Sequence, residues 1–259
     1  FAALANVPPG TPFFPAAYHQ GGPPRFALAM EAADLALTAC RNAEDAAQAC
    51  NRLTAAIEGA AAHITAVAEE LQRTGIEGTP APRFAGIDFS LAPFPSPEIS
   101  IGAALEALTG GSLGSPGTLA AAALLTEAIE RASFRRAGFC GLMMPVLEDV
   151  VLARRAAEGR LCLGELLQWS AVCGTGLDTV PLPGNAGQTA LERVLYDVAM
   201  LSCRLNKPLT ARLMPLPGKS AGDPVHFDFP YFADGGVMPL PEAESEGCLG
   251  RTREIRCGR

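Results

Sequence analysis

The sequence predicts an α/β fold, a largely parallel sheet covered by helices, and three observations carry that expectation. Short, nearly continuous apolar stretches at residues 26–30, 83–91 and 209–214 alternate with helix-length segments whose apolar residues recur at helical spacing. Clusters of glycine and proline separate the two kinds of segment. The chain has 259 residues, 49% of them apolar and 18% charged, which is enough for a sizeable core and excludes a disordered chain.

The opening, residues 6–12, is rich in proline and glycine and reads as loop. An aromatic run from Phe13 to Tyr18 and His19 continues it, bracketed by Gly21, Gly22, Pro23 and Pro24. Residues 26–30 form a short strand. A long helix is expected from about residue 43, because Leu53, Ile57, Ile64, Val67 and Leu71 share one face; Gly75 ends it. Residues 83–91 read as a buried strand, closed by Pro93, Pro95 and Pro97. Ser100 caps a helix through Leu108, and the glycine-rich turn 110–118 feeds an alanine-rich helix to about Arg136. A second apolar run, 139–146, precedes a helix rich in Ala and Arg. Another helix starts near Leu163 and leads into the segment 173–183. A helix over 188–205, a strand over 209–214 and a Phe/Tyr-rich hairpin over 225–238 complete the ordered part. Residues 1–238 are expected to be one domain and 239–259 an irregular tail.

Composition narrows the function classes. With 20 Lys plus Arg against 27 Asp plus Glu, the net charge of −7 argues against a nucleic-acid partner. Every apolar run is interrupted before about 18 residues, so no membrane-spanning helix is expected. None of the eight cysteines forms a C-x-x-C, which removes zinc-ribbon and thioredoxin-type readings. They are expected to be reduced thiols of a cytoplasmic protein.

Four places hold side chains suited to chemistry. The segment 173–178 puts Cys173 and Asp178 on one glycine-rich loop. Cys173 is a nucleophile or hydrogen-atom donor with Asp178 as its acid/base, or it is a packed thiol beside a capping glycine. His19, following the aromatic run, is placed as a proton relay or as a structural imidazole. Glu148 and Asp149 follow an apolar strand; they are cation ligands or acid/base groups, or first-turn acids of a helix. Lys207 and Lys219 are the only lysines, and with Arg212 they form a cationic stretch fitted to an anionic group. Residues 218–220 read Gly-Lys-Ser, but position 213 is Leu, so an ATP-binding P-loop is excluded.

Five segments, in order, resemble the uncharacterised domain-of-unknown-function family 711. They are residues 12–19, 88–93, 141–149 and 173–178, with Arg212–Pro215, Gly218–Lys219 and Gly222–Asp223 forming the last. The resemblance implies a fold like that of pyruvate formate-lyase and ribonucleotide reductase, a ten-stranded α/β barrel built from two five-stranded halves. It also implies that this chain, opening on Phe1, is the C-terminal portion, about one half. Asp88, Ser90 and Asp223, which lie in the matching segments, join Arg212 and Lys219 as expected substrate-binding residues. A glycyl radical is not expected, because Gly235-Gly236-Val237 lacks the preceding Arg and following Tyr of such sites.

Two function classes follow. One is an enzyme acting on a small anionic metabolite through Cys173, His19 and Asp178. The other is a non-catalytic subunit, a homo-oligomer or a partner to a complementary chain supplying the other barrel half. The sequence assigns neither metal nor cofactor.

Overall fold

The computed structural model describes residues 2–14, 16–17, 21–75, 81–172, 175–243 and 247–251. The expected strand at 26–30 is β2 (Arg25–Glu31), and it pairs in parallel with β3 (Arg83–Ser90). A second parallel pair joins β4 (Gly176–Pro183) to β5 (Leu209–Leu216), and β1 (Ala2–Ala5) adds to the outer edge of β5, antiparallel.

Residues 135–146 connect the two pairs without forming a regular strand. Ile87 N–H donates to the Arg135 carbonyl (2.8 Å) and Leu91 N–H to the Gly141 carbonyl (2.9 Å). Farther along, Val146 N–H donates to the Asp178 carbonyl of β4 (2.9 Å). Cys140 at φ 50° and Pro145 interrupt the ladder, which explains why this apolar run bridges two sheets rather than extending one. The fold class is therefore mixed α/β with parallel pairing as expected, but the sheets do not close into a barrel among the described residues.

Seven helices lie among the described residues. A shorter helix that the sequence did not suggest, α1 (Ala33–Arg41), precedes the one expected from about residue 43, which is α2 (Ala46–Thr74), capped by Asp45 accepting from Gln48 N–H (2.7 Å). Its buried stripe also differs from the expected one. Ala49, Leu53, Ile57, Ala61 and Ala68 face the core, while Val67 and Leu71 are exposed. This face packs on α4 (Thr118–Arg131), and Thr54 Oγ1 of α2 donates to the Ala128 carbonyl (3.1 Å). α4 stops five residues short of Arg136, whose guanidinium folds back onto the carbonyls of Ile129 and Ala132.

Ser100 caps α3 (Ile101–Thr109) as expected, donating its own hydroxyl hydrogen onward to Asp149. α5 (Val150–Ala157), α6 (Leu163–Ser170) and α7 (Gln188–Leu205) follow the sequence pattern closely. The hairpin is minimal: β6 (Pro224–Val225) pairs antiparallel with β7 (Gly235–Gly236) and lies against α5. One hydrophobic cluster runs from Ala32 to Met238, with a smaller one under the hairpin. Beyond it, residues 248–251 form a 3₁₀ turn. No described helix is long and apolar enough to cross a membrane.

Candidate functional site

Where β4 meets β5, the register slips: Leu177 opposes Ala211 and Val180 opposes Leu213, so Asp178 and Thr179 together face Arg212. Thr179 carries the strain of this bulge at φ 44°. The extra residue turns Asp178, 2% exposed, onto the Arg212 guanidinium, and Nε of Arg212 donates to its Oδ1. The same bulge holds the next turn. Asp178 O accepts from Val146 N–H and Thr179 Oγ1 accepts from Leu147 N–H (3.2 Å), which delivers Glu148. Arg212 Nη2 then donates to Glu148 Oε1 at 2.8 Å.

Arg212 is thus forked between two carboxylates, one sealed and one reachable. The Glu148 side chain is 27% exposed and the Arg212 side chain 41%. An arginine has five N–H donors, so others remain for an incoming anion. Burial pushes the Glu148 carboxyl above its ordinary value of 4.5, and the Asp178 charge adds to this. Arg212 opposes the shift, and Glu31 at the end of β2 acts in the raising direction. A carboxyl raised toward neutrality beside a guanidinium is equipped to take and return a proton.

The raised value has a consequence for stability. In the folded state Glu148 keeps a proton that the unfolded chain has already released, so its contribution is full below pH 4.5 and is lost as pH rises through the folded-state value. Glu148→Gln removes this dependence. Its urea midpoint is expected to fall less than the parent's as pH rises from 4.5 to neutral, and superimposable profiles would contradict the assignment.

The family profile described as Uncharacterised ACR (DUF711) matches residues 1–231. The chain belongs to this family. A UPF0210 protein of Pyrobaculum aerophilum is 37% identical over 243 residues, covering 92% of this chain and 52% of the relative. A UPF0210 protein of Pyrobaculum arsenaticum is 36% identical, covering 86% and 50%. One from Oleidesulfovibrio alaskensis is 31% identical, covering 98% and 56%. The chain spans about half the length of these curated relatives.

Of the residues expected from the sequence, the fold brings Asp178, Arg212 and Glu148 together and distributes the others. Asp149, fully buried, accepts from Ser100 Oγ (2.9 Å) and from the N–H groups of Gly102 (3.1 Å), Val151 (2.8 Å) and Leu152 (3.0 Å). It caps α5 and ties α3 to it, its carboxylate taken up by these four donors. Asp88 accepts from Phe139 N–H (2.8 Å), Cys140 N–H (2.7 Å) and Ser90 Oγ (2.6 Å), so Asp88 and Ser90 organise the 139–141 loop. Lys219 and Asp223 lie in the loop after β5, where Lys219 Nζ donates to the Pro224 carbonyl (2.9 Å) and Asp223 Oδ2 accepts from Ser220 N–H (2.6 Å).

Cys173 and His19 lie outside the described residues. The flanks of Cys173 are anchored, with the Ala171 carbonyl accepting from Lys207 Nζ (3.2 Å) and the Thr175 carbonyl from Thr210 N–H (2.8 Å). Thr175 Oγ1 is buried without a hydrogen-bond partner among the described residues, a polar atom that sequence reasoning did not single out. Nor did it find Glu31 or Thr179, because a bulge and a charge acting across strands leave no local motif. Cys40, Cys50, Cys140, Cys162, Cys203 and Cys248 are free thiols. No cluster of three or more potential metal ligands occurs among the described residues.

Proposed function

We propose that this chain carries the acid–base site of a cytoplasmic enzyme acting on a small anionic metabolite, without glycyl-radical chemistry. The observation that supports it is Arg212 forked between sealed Asp178 and reachable Glu148 at a strained strand bulge. Asp178 holds the guanidinium in place, Arg212 binds the anionic head of the substrate, and Glu148 moves the proton. Cys173 serves as nucleophile or second acid/base group, with His19 relaying protons. The free thiols fit a reducing compartment.

A thermal-shift screen of small mono- and dicarboxylates and phosphates tests the anion site. A compound is expected to raise the Tm of the parent but not of Arg212→Lys, which keeps the charge and loses the fork. A screen whose hits stabilise both proteins alike, or which has no hits, sinks the reading. Native alkylation by iodoacetamide tests Cys173. Burial, with a smaller push from Cys50, raises the Cys40 thiol to about 11, and burial raises Cys50 as well. Cys173 is expected to react well before both, and equal rates remove it from the mechanism.

A second reading concerns assembly. β2 has β3 as its one strand partner among the described residues, which leaves its other edge open, and the chain spans about half the length of its relatives. A second copy or a complementary chain would pair there and complete a pyruvate formate-lyase-like barrel. Native mass spectrometry showing a lone 26.9 kDa species at micromolar concentration argues against it.

A further inference from the structure

A cavity of about 720 Å³ opens at the carboxyl end of β5, beside the hairpin. Leu216, which lines it, is four residues beyond Arg212, about 13 Å along the strand, so the cavity is separate from the guanidinium fork. Its size falls within the range of small-molecule sites, and the carboxyl ends of parallel strands are where such sites form.

Three structural elements bring basic groups to this cavity. Arg154 comes from the last turn of α5, Lys219 from the loop after β5, and His226 from just beyond β6. Close packing explains the convergence: a Cβ added at Gly236 of β7 would meet Ala157 Cα at 2.7 Å, so only glycine lets the hairpin lie this close to α5. Lys219 is one of two lysines in a chain of net charge −7. The Arg154 guanidinium has no hydrogen bond or salt bridge among the described residues and reaches Glu106 only through its field. The acid on the cavity wall, Asp234, is already engaged, its Oδ1 lying 2.5 Å from His226 Nδ1. That contact fixes the imidazole and leaves Nε2 for another partner. The rest of the wall is apolar. Leu216, Val225 and Phe227 belong to the small hydrophobic cluster, and Phe227 is braced edge-on by Phe232 at 5.2 Å.

We propose that this cavity binds a small amphiphilic anion, a carboxylate or phosphate head on Arg154, Lys219 and His226 with its apolar body on Leu216, Val225 and Phe227. The site does not depend on the acid–base reading above. Two charged donors on a shared oxyanion account for selectivity over a neutral molecule of the same length, and the apolar wall accounts for selectivity over inorganic phosphate.

The test uses the full chain with hexanoate, hexyl phosphate, hexan-1-ol and inorganic phosphate as probes, followed by ligand-observed NMR titration. Both amphiphilic anions are expected to saturate one site, with hexan-1-ol and inorganic phosphate at least about tenfold weaker. The difference between hexanoate and hexyl phosphate tells which head group is preferred. The double variant Arg154→Met/Lys219→Met changes exposed side chains only, and a native melting curve confirms its fold. It is expected to weaken both anions at least about tenfold, and His226→Gln to weaken them less. Equal binding of the alcohol, unchanged affinity in the double variant, or no saturable binding of any probe overturns the proposal. Arg212→Lys separates the two sites: loss of hexanoate binding in that variant, with none in the double variant, would place the anion at the fork and empty the cavity of this role.

Discussion

Asp149→Ala is expected to lower the unfolding free energy by about 3–5 kcal/mol, a large part of the total for a single domain. The carboxylate accepts four hydrogen bonds with no exposure to water, from the Ser100 hydroxyl and from three backbone amides at the starts of α3 and α5. Truncation leaves those donors buried and unpaired, and it removes the cap of α5 at the same moment. Asp149→Asn keeps one acceptor oxygen in place and is expected to recover part of the loss. Equilibrium urea denaturation measures both. An alanine variant with the parent's midpoint would show that the two helix starts do not rely on this side chain. The effect reaches the Arg212 fork, because the turn ending at Asp149 is the one that delivers Glu148.

Gly176→Ala is expected to cost about 3 kcal/mol or more and to expose the amides of β4 and β5 to hydrogen exchange. Gly176 sits at φ 90°, where a side chain is strained, and an added Cβ would lie 2.2 Å from the Thr210 carbonyl oxygen. The methyl group pushes apart the parallel pair that carries Asp178 and Arg212. Gly59→Ala provides the opposite control. Gly59 is an exposed interior position of α2 with nothing within 4 Å of an added Cβ, and the change is expected to stabilise by about 0.5–1 kcal/mol. Matching losses in the two variants would mean that close strand approach does not decide the first.

Much of the fold is legible in the sequence because it rests on local preference. Ser100 followed by an apolar face specifies the start of α3, and residues 188–205 state α7 through their period. The helix α1 escaped notice because alanine supplies most of its buried face, a weak signal next to the long apolar residues of α2. β1 has no visible pattern at all, since its place is set by pairing with β5 more than two hundred residues later in the chain. The site is legible in part for the same reason. Glu148, Asp178 and Arg212 stand out as polar residues in or beside apolar segments, yet Asp149 and Asp88 look identical to them in a linear reading. Neighbouring amides that are far apart in the chain decide which acids are consumed by the backbone and which remain free.

By itself the sequence determined the α/β class, the parallel sense of its main strand pairs, most helix limits and family membership, because propensity, period and motif order act over short spans. The tertiary structure alone decided that a one-residue slip between β4 and β5 aims Asp178 at Arg212, and that Arg154, Lys219 and His226 meet across a cavity. Register and packing between distant segments are set by the burial of whole faces, and charge placement follows from them.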